Sequence, residues 1–254
     1  MSNSRKYYGL KRELKRADFF KSYSNSDHIT EKMLNLIDRK INNIKPKRIL
    51  DLGTGNGYLI REVLARNPDI LKNKVVLVGI DSSPTMIDIA KKVSKNNSIE
   101  FKTMDNNDIK YPDNYFDLVI AKAVSNISIQ EIYRVLRKGG NFVYKEYGDG
   151  KGIYEIMSLM KNRLTHSGDK LTKTMEQVGF SDVEIRKYYI PITRTSDEIR
   201  AIVDTMRVLP KRITNNKAHK IIDMFYGDSI SKTIHSDPYL IIGIKWLINI
   251  TLLL

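Results

Sequence analysis

A glycine-rich turn gives this sequence its first candidate for ligand chemistry. Residues 53–57 read Gly-Thr-Gly-Asn-Gly and lie between the apolar segment 48–52 and a helical pattern. Alternating glycines let the backbone turn tightly and approach a ligand without Cβ clashes, and the start of a helix offers free amide donors. The GxGxG spacing differs from the GxGxxG of dinucleotide-binding turns. A glycine turn alone is also compatible with a purely structural role.

Three acidic residues follow three successive apolar segments. Asp51 precedes the glycine turn, Asp81 ends the second segment 24 residues after Gly57, and Asp105 comes just after the third. The carboxyl ends of parallel strands meet at one edge of an open sheet, where ligands bind. There Asp81 is placed to accept hydrogen bonds from two ribose hydroxyls, and Asp105 from the exocyclic amine of adenine. Together they predict a nucleoside site.

The elements that position these residues alternate along the chain. Between residues 45 and 146, short apolar segments of strand length alternate with helical patterns, which predicts an α/β fold with a parallel sheet and helices on both faces. Later residues predict helix over 153–178, a strand over 183–192, a partly helical stretch over 196–235 and a strand over 239–246. We predict one domain overall, divided into an N-terminal helical lid segment (1–44), a core (45–195), an inserted helical cap (196–236) and a final strand with its tail (237–254).

Composition excludes several other classes of site. The chain has 254 residues and no cysteine, which excludes disulfides, cysteine nucleophiles and thiolate metal sites. Its four histidines are not at metal-ligand spacing, so we expect no metal. The N-terminus lacks the apolar stretch of a signal peptide, and the most apolar run, 239–254, is broken by Lys245 and Asn249. We therefore expect a cytoplasmic protein with no transmembrane segment.

The net charge of +14 raises the question of a nucleic-acid partner. The basic residues are scattered, and those of the densest group, within residues 5–21, fall on several faces of a helix. That pattern favours a solvated helix over an RNA-binding arm. Nucleic acid stays an alternative partner. The apolar tail 247–254 favours a homodimer over a strand extension or a membrane contact.

Five segments together resemble the class I S-adenosylmethionine-dependent methyltransferases. They are ILDLGTGNG, VVLVGIDSSPTMIDIA, KTMDNNDI, FDLVIAKAVSNI and EIYRVLRKGGNFVYKE. The resemblance is close over Lys45 to Glu146 and otherwise limited to layout. The usual KPGG stands here as Lys138-Gly139-Gly140, without its proline. The resemblance implies a Rossmann-like seven-stranded sheet whose last strand, Tyr239 to Trp246, is antiparallel, and a helical lid.

The same resemblance implies S-adenosyl-L-methionine as cofactor, leaving as S-adenosyl-L-homocysteine, with Asp81 on the ribose and Met86 against the adenine. The cofactor contacts it implies are Asp51, Gly53, Thr54, Gly55, Asn56, Gly57, Asp81, Ser82, Met86, Asp105, Asn106 and Ala121.

The lid segment supplies the candidate catalytic residues. His28 is the candidate base, although a capping or packing role fits it equally well. Tyr23 is placed to hydrogen-bond the methionine carboxylate, or to lie in the core. Phe20, Glu146 and Tyr147 are the candidate acceptor contacts, and Glu146 would suit an amine or a cation.

The acceptor is predicted less sharply than the cofactor. The fourth strand is followed by Ala121-Lys122-Ala123-Val124 instead of the Asn/Asp-Pro-Pro-aromatic motif of enzymes that methylate nucleic-acid bases. The resemblance favours the branch that methylates small molecules such as quinones and natural products. We expect transfer to an oxygen or nitrogen of a small molecule or peptide-derived natural product. The alternatives are an RNA or protein N-methyltransferase and a non-catalytic cofactor sensor or assembly partner.

Overall fold

The computed structural model of the chain describes residues 28–94, 98–124, 127–160, 167–205 and 209–246. Phe20 and Tyr23, most of the predicted lid segment and the apolar tail 247–254 lie outside the described residues. The chain forms two compact units. The sheet unit comprises the described parts of 28–146, 169–185 and 240–246. The second unit comprises the described parts of 147–168 and 186–239.

A seven-stranded sheet forms the centre of the sheet unit. Its strands are β1 (Arg48–Leu52), β2 (Val76–Asp81), β3 (Ile99–Thr103), β4 (Phe116–Lys122), β5 (Leu136–Tyr147), β6 (Phe180–Lys187) and β9 (Pro238–Lys245). They are arranged in the order β3-β2-β1-β4-β5-β9-β6. The first five pair in parallel, so their carboxyl ends share one edge. This confirms the predicted Rossmann-like sheet.

The last strand is antiparallel, as predicted. The amide of Gly148, just after β5, donates a 2.8 Å hydrogen bond to the carbonyl of Asp237, just before β9. The hydroxyl of Ser181, near the start of β6, donates to the carbonyl of Ile244, near the end of β9. The strand β9 therefore begins where β5 ends, and it ends where β6 begins.

The helices of the sheet unit are α1 (His28–Ile44), α2 (Tyr58–Arg66), α3 (Asp69–Lys72), α4 (Pro84–Val93), α5 (Ile129–Val135) and α7 (Ser167–Val178), and they lie around the sheet. Local signals set their ends. Ser83 caps α4 by accepting a hydrogen bond from the amide of Met86, with Pro84 at the first helical position. The helix α1 ends at Ile44, two residues before Pro46.

Burial explains why these segments form strands. Every residue of β4 except Lys122 is buried, and so is every residue of β1 except Arg48. Strands buried on both faces are apolar without alternation, which is typical of a parallel sheet covered by helices. The single acidic residue of β1, Asp51, is 1% exposed, and this exception places a carboxyl group near the carboxyl edge of the sheet.

The second unit has its own hydrophobic core and its own small sheet. It contains α6 (Tyr154–Met160), α8 (Ser196–Thr205), α9 (Asn215–Tyr226) and the antiparallel strands β7 (Ile190–Thr195) and β8 (Ser231–Ser236). Its core includes Ile153, Ile156, Met157, Ile199, Ile202, Ile222 and Ile234. The predicted cap, 196–236, corresponds to α8, α9 and β8. Its role as a lid, with residues 1–44, stays a prediction.

Two predictions of secondary structure were wrong. The single strand predicted over 183–192 is two strands, since β6 joins the large sheet, β7 joins the small one, and Tyr188 and Tyr189 lie between them. The strand β8 was missed because its sequence, SKTIHS, has a single large apolar residue. In the described part of the chain, no helix is both long enough and apolar enough to cross a membrane.

Candidate active site

The glycine turn is fixed between β1 and β2 by backbone hydrogen bonds. The amide of Thr54 donates to the carbonyl of Ile80 at 2.8 Å, and the amide of Gly57 donates to the carbonyl of Thr54 at 2.8 Å. All three glycines of the turn are left-handed, with φ values of 66°, 57° and 77°. A side chain would strain the backbone at each of them, so the pattern noted in the sequence is a conformational requirement.

The atoms around each glycine show whether packing within the protein requires the absence of a side chain. A Cβ on Gly53 would lie 2.5 Å from Cγ2 of Val124, and a Cβ on Gly79 would lie 2.8 Å from the hydroxyl oxygen of Thr54. A Cβ on Gly55 would meet one described atom, Cε of Met86, at the ordinary contact distance of 3.5 Å. Gly53 and Gly79 are therefore required by packing, whereas at Gly55 Met86 is the one described residue that an added Cβ would contact.

Asp51 lies beneath this turn as a buried carboxyl group. Burial raises the pKa of Asp51 to about 7, although hydrogen bonds from the Thr54 hydroxyl and the Ile60 amide, and the charge of Lys122, act in the opposite direction. The Thr54 bond is 2.6 Å long. A carboxyl group held this close to neutrality is favoured as an anion by any cation that binds beside it.

Lys122 brings a positive charge to the same face of the sheet. Asp51 is opposite Ile120 in the register of β1 and β4, so Lys122, two residues later, points to the same side as Asp51. Its Nζ lies 5.0 Å from the ring centroid of Tyr58, the first residue of α2. Sequence reasoning did not select Lys122 or Tyr58. The signal was the two-residue spacing from Ile120 to Lys122, which becomes informative once the strand register is known.

Asp81 joins the glycine turn to the end of β2. Its Oδ2 accepts a 2.9 Å hydrogen bond from the amide of Gly55, and its Oδ1 accepts one of 2.9 Å from the amide of Ser83. The side chain is half-buried. Each oxygen of a carboxylate has more than one acceptor position, so both can still receive a hydroxyl proton. The arrangement suits the two hydroxyls of a ribose.

The loop after β3 carries both of the predicted adenine contacts, the carboxylate of Asp105 and the amide of Asn106. Asp105 is exposed, and its Oδ1 accepts hydrogen bonds from the backbone amide and the side chain of Asn107, at 2.8 and 3.0 Å. The Oδ1 of Asn106 is buried and has no hydrogen-bond partner among the described residues. A buried acceptor without a donor is costly. A ligand with an N–H group, such as the amine of adenine, would supply that donor.

The remaining predicted cofactor residues fall around the same turn. Met86 is buried on α4, and Ala121 is buried near the end of β4. The carbonyl of Asn56 accepts a hydrogen bond from the Arg61 guanidinium, and Oδ1 of Asn56 accepts one from the amide of Tyr58. Ser82 is exposed between Asp81 and the helix cap.

The described part of the chain contains three of the candidate acceptor and catalytic residues, which are Glu146, Tyr147 and His28. The Tyr144 hydroxyl lies 2.8 Å from the carbonyl oxygen of Val124 and 3.0 Å from Oε2 of Glu146, which fixes that carboxylate at the end of β5. Tyr147 belongs to the second unit, where it lies close to Gly152. His28 is exposed at the first residue of α1. The roles of these residues in acceptor binding and catalysis stay predictions.

A family model described as a methyltransferase domain matches residues 44–223, which is 180 of the 254 residues. The chain belongs to the class I S-adenosylmethionine-dependent methyltransferases. The cofactor of this class is S-adenosylmethionine. The contacts of Asp81 and Asn106 with its adenosine group stay predictions.

Curated relatives show how varied the acceptors of similar proteins are. The chain is 33% identical over 119 residues to the ubiquinone/menaquinone biosynthesis C-methyltransferase of Geotalea daltonii, and 36% identical over 110 residues to the demethylmenaquinone methyltransferase of Thermus thermophilus. It is 32% identical over 101 residues to a protein-lysine N-methyltransferase of Schizosaccharomyces pombe. These alignments cover 43%, 40% and 38% of this chain and 49%, 48% and 40% of those proteins.

Solved structures share the fold at low sequence identity. The YcgJ protein of Bacillus subtilis has a TM-score of 0.58 at 15% identity, with 85% of this chain and 99% of that chain covered. Phosphoethanolamine N-methyltransferase 2 of Haemonchus contortus, in complex with phosphomonomethylethanolamine and S-adenosylhomocysteine, has a TM-score of 0.50 at 16% identity, with 91% and 60% covered. Such likeness establishes the fold alone.

Proposed function

We propose that this chain transfers a methyl group from S-adenosylmethionine to an oxygen or nitrogen atom of a small molecule or a peptide-derived natural product. The main support for the cofactor is the position of Asp81. Its two carboxylate oxygens accept hydrogen bonds from the amides of Gly55 and Ser83, and each oxygen can still accept a further hydrogen bond from a ribose hydroxyl. The chain spans about half the length of the curated relatives it matches. Its activity and its methyl acceptor are therefore both proposed.

Different residues of the sheet unit would bind different parts of the cofactor. Asp81 would hold the ribose hydroxyls, and the carbonyl oxygen of the Asn106 side chain would accept from the adenine amine beside Met86. Asp51 would face the cationic part of the cofactor, because a buried carboxyl group with a pKa of about 7 becomes ionised when a cation binds next to it. When bound, the cofactor supplies an electrophilic methyl group on a sulfonium.

The protein must position the two reactants and exclude water from the site. A methyl transfer of this kind gains from alignment of nucleophile and methyl group and from exclusion of water. The glycine turn and the buried ends of β1 and β4 provide rigid elements for that alignment. A base is needed only where the nucleophile carries a proton of high pKa.

The small-molecule acceptor is supported by the quinone-modifying relatives and by the residues at the end of β4. Ala121, Lys122, Ala123 and Val124 occupy the place of the Asn/Asp-Pro-Pro-aromatic motif, which disfavours amino-methylation of nucleic-acid bases. A second candidate acceptor is a protein lysine, which the Schizosaccharomyces pombe relative favours.

Calorimetric titration with S-adenosylhomocysteine, beside NAD, tests the cofactor part. We expect micromolar or tighter binding of S-adenosylhomocysteine alone, its loss in Asp81→Ala, and its retention in Asp88→Ala, since Asp88 is an exposed acidic residue of α4. Equal binding of both ligands, or equal loss in both variants, contradicts the proposal.

Methyl-labelled cofactor and fractionated cell extract then test the acceptor. Label in small molecules supports the first candidate, and label in protein supports the second. Label in RNA contradicts both candidates, as does binding without any transfer, which would favour a cofactor sensor.

A further inference from the structure

The sheet unit has a second edge, where its parallel strands begin. In the register of the sheet, Arg48 at the start of β1 is opposite Val76 at the start of β2, and the starts of β4 and β5 are paired in the same way. The antiparallel β9 ends at the same place, since Nζ of its last residue, Lys245, lies 3.4 Å from the carbonyl oxygen of Arg134, two residues before β5. We call these strand ends, with the segments that lead into them, the amino edge.

The amino edge brings together basic residues that are scattered in the sequence. Asp117, on β4, joins two of the segments that carry them. Its Oδ2 accepts hydrogen bonds from the backbone amides of Lys47 and Arg48 at 2.9 and 2.8 Å, and its Oδ1 accepts one from the guanidinium of Arg137. The exposed or half-buried cations of this edge are Lys45, Lys47, Arg48, Lys74, Arg137 and Lys138.

The acidic residues near this edge are buried or already paired. Asp117 is 7% exposed, so its carboxylate lies inside the protein. Asp69 forms an ion pair with Lys72 at 2.9 Å, within α3. Asp113 forms one with Arg134, also at 2.9 Å. The cations at the surface of the edge are therefore in excess over the anions.

Four lysines of the amino edge are exposed without an acidic partner. In the described part of the chain, no ion pair involves the side chains of Lys45, Lys47, Lys74 and Lys138. The basic surface ends at β9, because the neighbouring strand β6 carries Asp182 and Glu184, whose charges act on Lys40 of α1. The excess of positive charge is thus confined to the ends of β1, β2, β4, β5 and β9.

Exposed apolar side chains lie among these cations. In the described part of the sheet unit, the large apolar residues that are exposed are Leu71, Val76, Val93 and Trp246. Leu71 and Val76 stand on either side of Lys74, where the chain enters β2, and Val93 ends α4, six residues before β3 begins. Trp246 directly follows β9 and is 60% exposed. The eight residues after it in the sequence, LINITLLL, carry no charge.

This mixture of side chains distinguishes three kinds of partner. Leucine and valine have no planar face on which a base could stack, so a single-stranded nucleic acid would leave them unused. A second copy of the chain, related by a two-fold axis, would bring the same cations face to face. A bilayer with anionic lipids matches both kinds of side chain, because its headgroups attract lysine and arginine and its interface accepts leucine, valine and tryptophan.

We propose that the amino edge is the surface with which this protein binds a membrane that contains anionic lipids. Lys45, Lys47, Lys74 and Lys138 contact the phosphate groups, and Trp246 enters the interface beside them. Stable binding of this kind combines charge attraction with an apolar contact, because one weak anchor alone gives only marginal binding. The proposal goes beyond methyl transfer and does not depend on the identity of the methyl acceptor.

The direction of the strands determines which part of the sheet unit faces the lipid. The glycine turn follows the carboxyl end of β1, whereas the amino edge lies at the other end of the same strand. The five residues of β1 separate the two edges by roughly 16 Å. The glycine turn therefore faces away from the bilayer, and vesicles should leave the affinity for S-adenosylhomocysteine unchanged.

Co-sedimentation of the full-length protein with vesicles tests the proposal. At low salt we expect binding to vesicles of equal parts phosphatidylcholine and phosphatidylserine, and no binding to pure phosphatidylcholine. High salt should release the protein, because it screens the charges. Trp246 is the only tryptophan of the chain, so its emission should shift to shorter wavelength when it enters the interface of the mixed vesicles.

Two double variants with the same change of net charge separate this surface from a general effect of charge. Lys47→Gln with Lys74→Gln should lower the partition onto the mixed vesicles about 25-fold, since each lysine near an anionic surface contributes about fivefold. Lys32→Gln with Lys170→Gln is the matched control and should bind like the wild type. Both control lysines are exposed near the starts of α1 and α7, and these helices end at the amino edge.

Equal losses in the two double variants, equal binding to both kinds of vesicle, or no binding at low salt would overturn the proposal. Quenching of Trp246 by oligouridine without a shift of its emission, and without vesicle binding, would identify a nucleic acid as the partner instead. A dimer in sedimentation velocity that is lost in Trp246→Ser would identify a second copy.

Calorimetry with S-adenosylhomocysteine, with and without vesicles, separates this proposal from the proposed function. Weaker cofactor binding in the presence of vesicles would contradict docking through the amino edge. A protein that binds vesicles as expected but never binds S-adenosylhomocysteine would count against the proposed function alone.

Discussion

The hydroxyl of Thr54 donates a 2.6 Å hydrogen bond to Oδ2 of Asp51, a carboxyl group that is 1% exposed. Residue 54 is thus both part of the glycine turn and a support for the acid beneath it. Removing water from Asp51 outweighs this support, and burial raises its pKa to about 7. The buried acid therefore links the stability of the fold to the binding of a cation.

Stability should decrease with pH because of Asp51. The pKa of Asp51 in the folded chain, about 7, exceeds its ordinary value of 3.8, so between these values the folded chain holds a proton that the unfolded chain has lost. The free energy of unfolding then falls as pH rises from about 4 to about 7, by at most about 4 kcal/mol. Asp51→Asn should be more stable than the wild type at neutral pH and equal to it near pH 4.

Urea unfolding of the wild type and Asp51→Asn across this pH range measures the difference. Parallel stability curves for the two proteins would contradict a raised pKa of Asp51 in the folded chain. The same variant should bind S-adenosylhomocysteine more weakly above pH 7, since the amide that replaces the carboxylate carries no charge.

Lys122 should determine the pH at which Asp51 changes the stability of the chain. Its positive charge lowers the pKa of Asp51, so Lys122→Met should shift the pH midpoint of the stability difference upward. The midpoint is obtained by comparing Lys122→Met with the double variant that also carries Asp51→Asn, which isolates the coupling between the two groups. Lys91→Met is the control, as Lys91 is an exposed lysine of α4. Equal midpoints in both lysine variants would refute the coupling.

Gly55→Ala should lose binding while it keeps its fold. The left-handed φ of 57° costs an alanine about 1 kcal/mol, and the nearest described atom, Cε of Met86, is 3.5 Å from the new Cβ. A ligand that approaches the open side would meet the methyl group, so we expect at least a tenfold loss of S-adenosylhomocysteine affinity. Calorimetry and thermal unfolding measure the two effects.

Two other glycines provide the comparison for Gly55. Gly227 has φ 54° and ψ −131°, a region essentially restricted to glycine, and an added methyl group there would have no described atom within 4 Å. Gly227→Ala should therefore lose stability through its backbone alone and keep normal binding. Gly53→Ala should unfold at a clearly lower temperature because of its 2.5 Å approach to Val124. A Gly55→Ala protein that binds like Gly227→Ala would show that no ligand passes this turn.

Asn106 should matter for the cofactor and not for the fold. Because its buried Oδ1 has no partner among the described residues, Asn106→Ala should leave the free energy of unfolding unchanged or raise it. The same change should weaken S-adenosylhomocysteine binding about tenfold, equivalent to about 1.4 kcal/mol. Asn73→Ala, at an exposed helix end, serves as control, and a loss of stability in Asn106→Ala without a change in affinity would contradict the assignment.

The sequence predicted the sheet and the glycine turn because both depend on local patterns. Buried strands such as β4 are continuous apolar runs, and Gly53, Gly55 and Gly57 follow directly on one of them, so neighbouring residues carry the information. The amino edge depends on which strand ends meet, because Lys47, Lys74 and Lys138 are far apart in the sequence. The placement of Lys122 on the same face of the sheet as Asp51 depends on the register of β1 and β4. The division of residues 183–192 at Tyr188 and Tyr189 was missed because β6 and β7 have similar composition and differ in the sheet that they join.

The position of β9 has a consequence for how the chain is made. Among the described strands, β6 has β9 as its neighbour, and β9 begins 51 residues after β6 ends. On a ribosome, β6 therefore emerges well before the strand that connects it to the sheet, and its edges stay unpaired while the second unit is synthesised. Unpaired strand edges favour aggregation. We expect a chaperone that shields extended segments to act in this interval of synthesis.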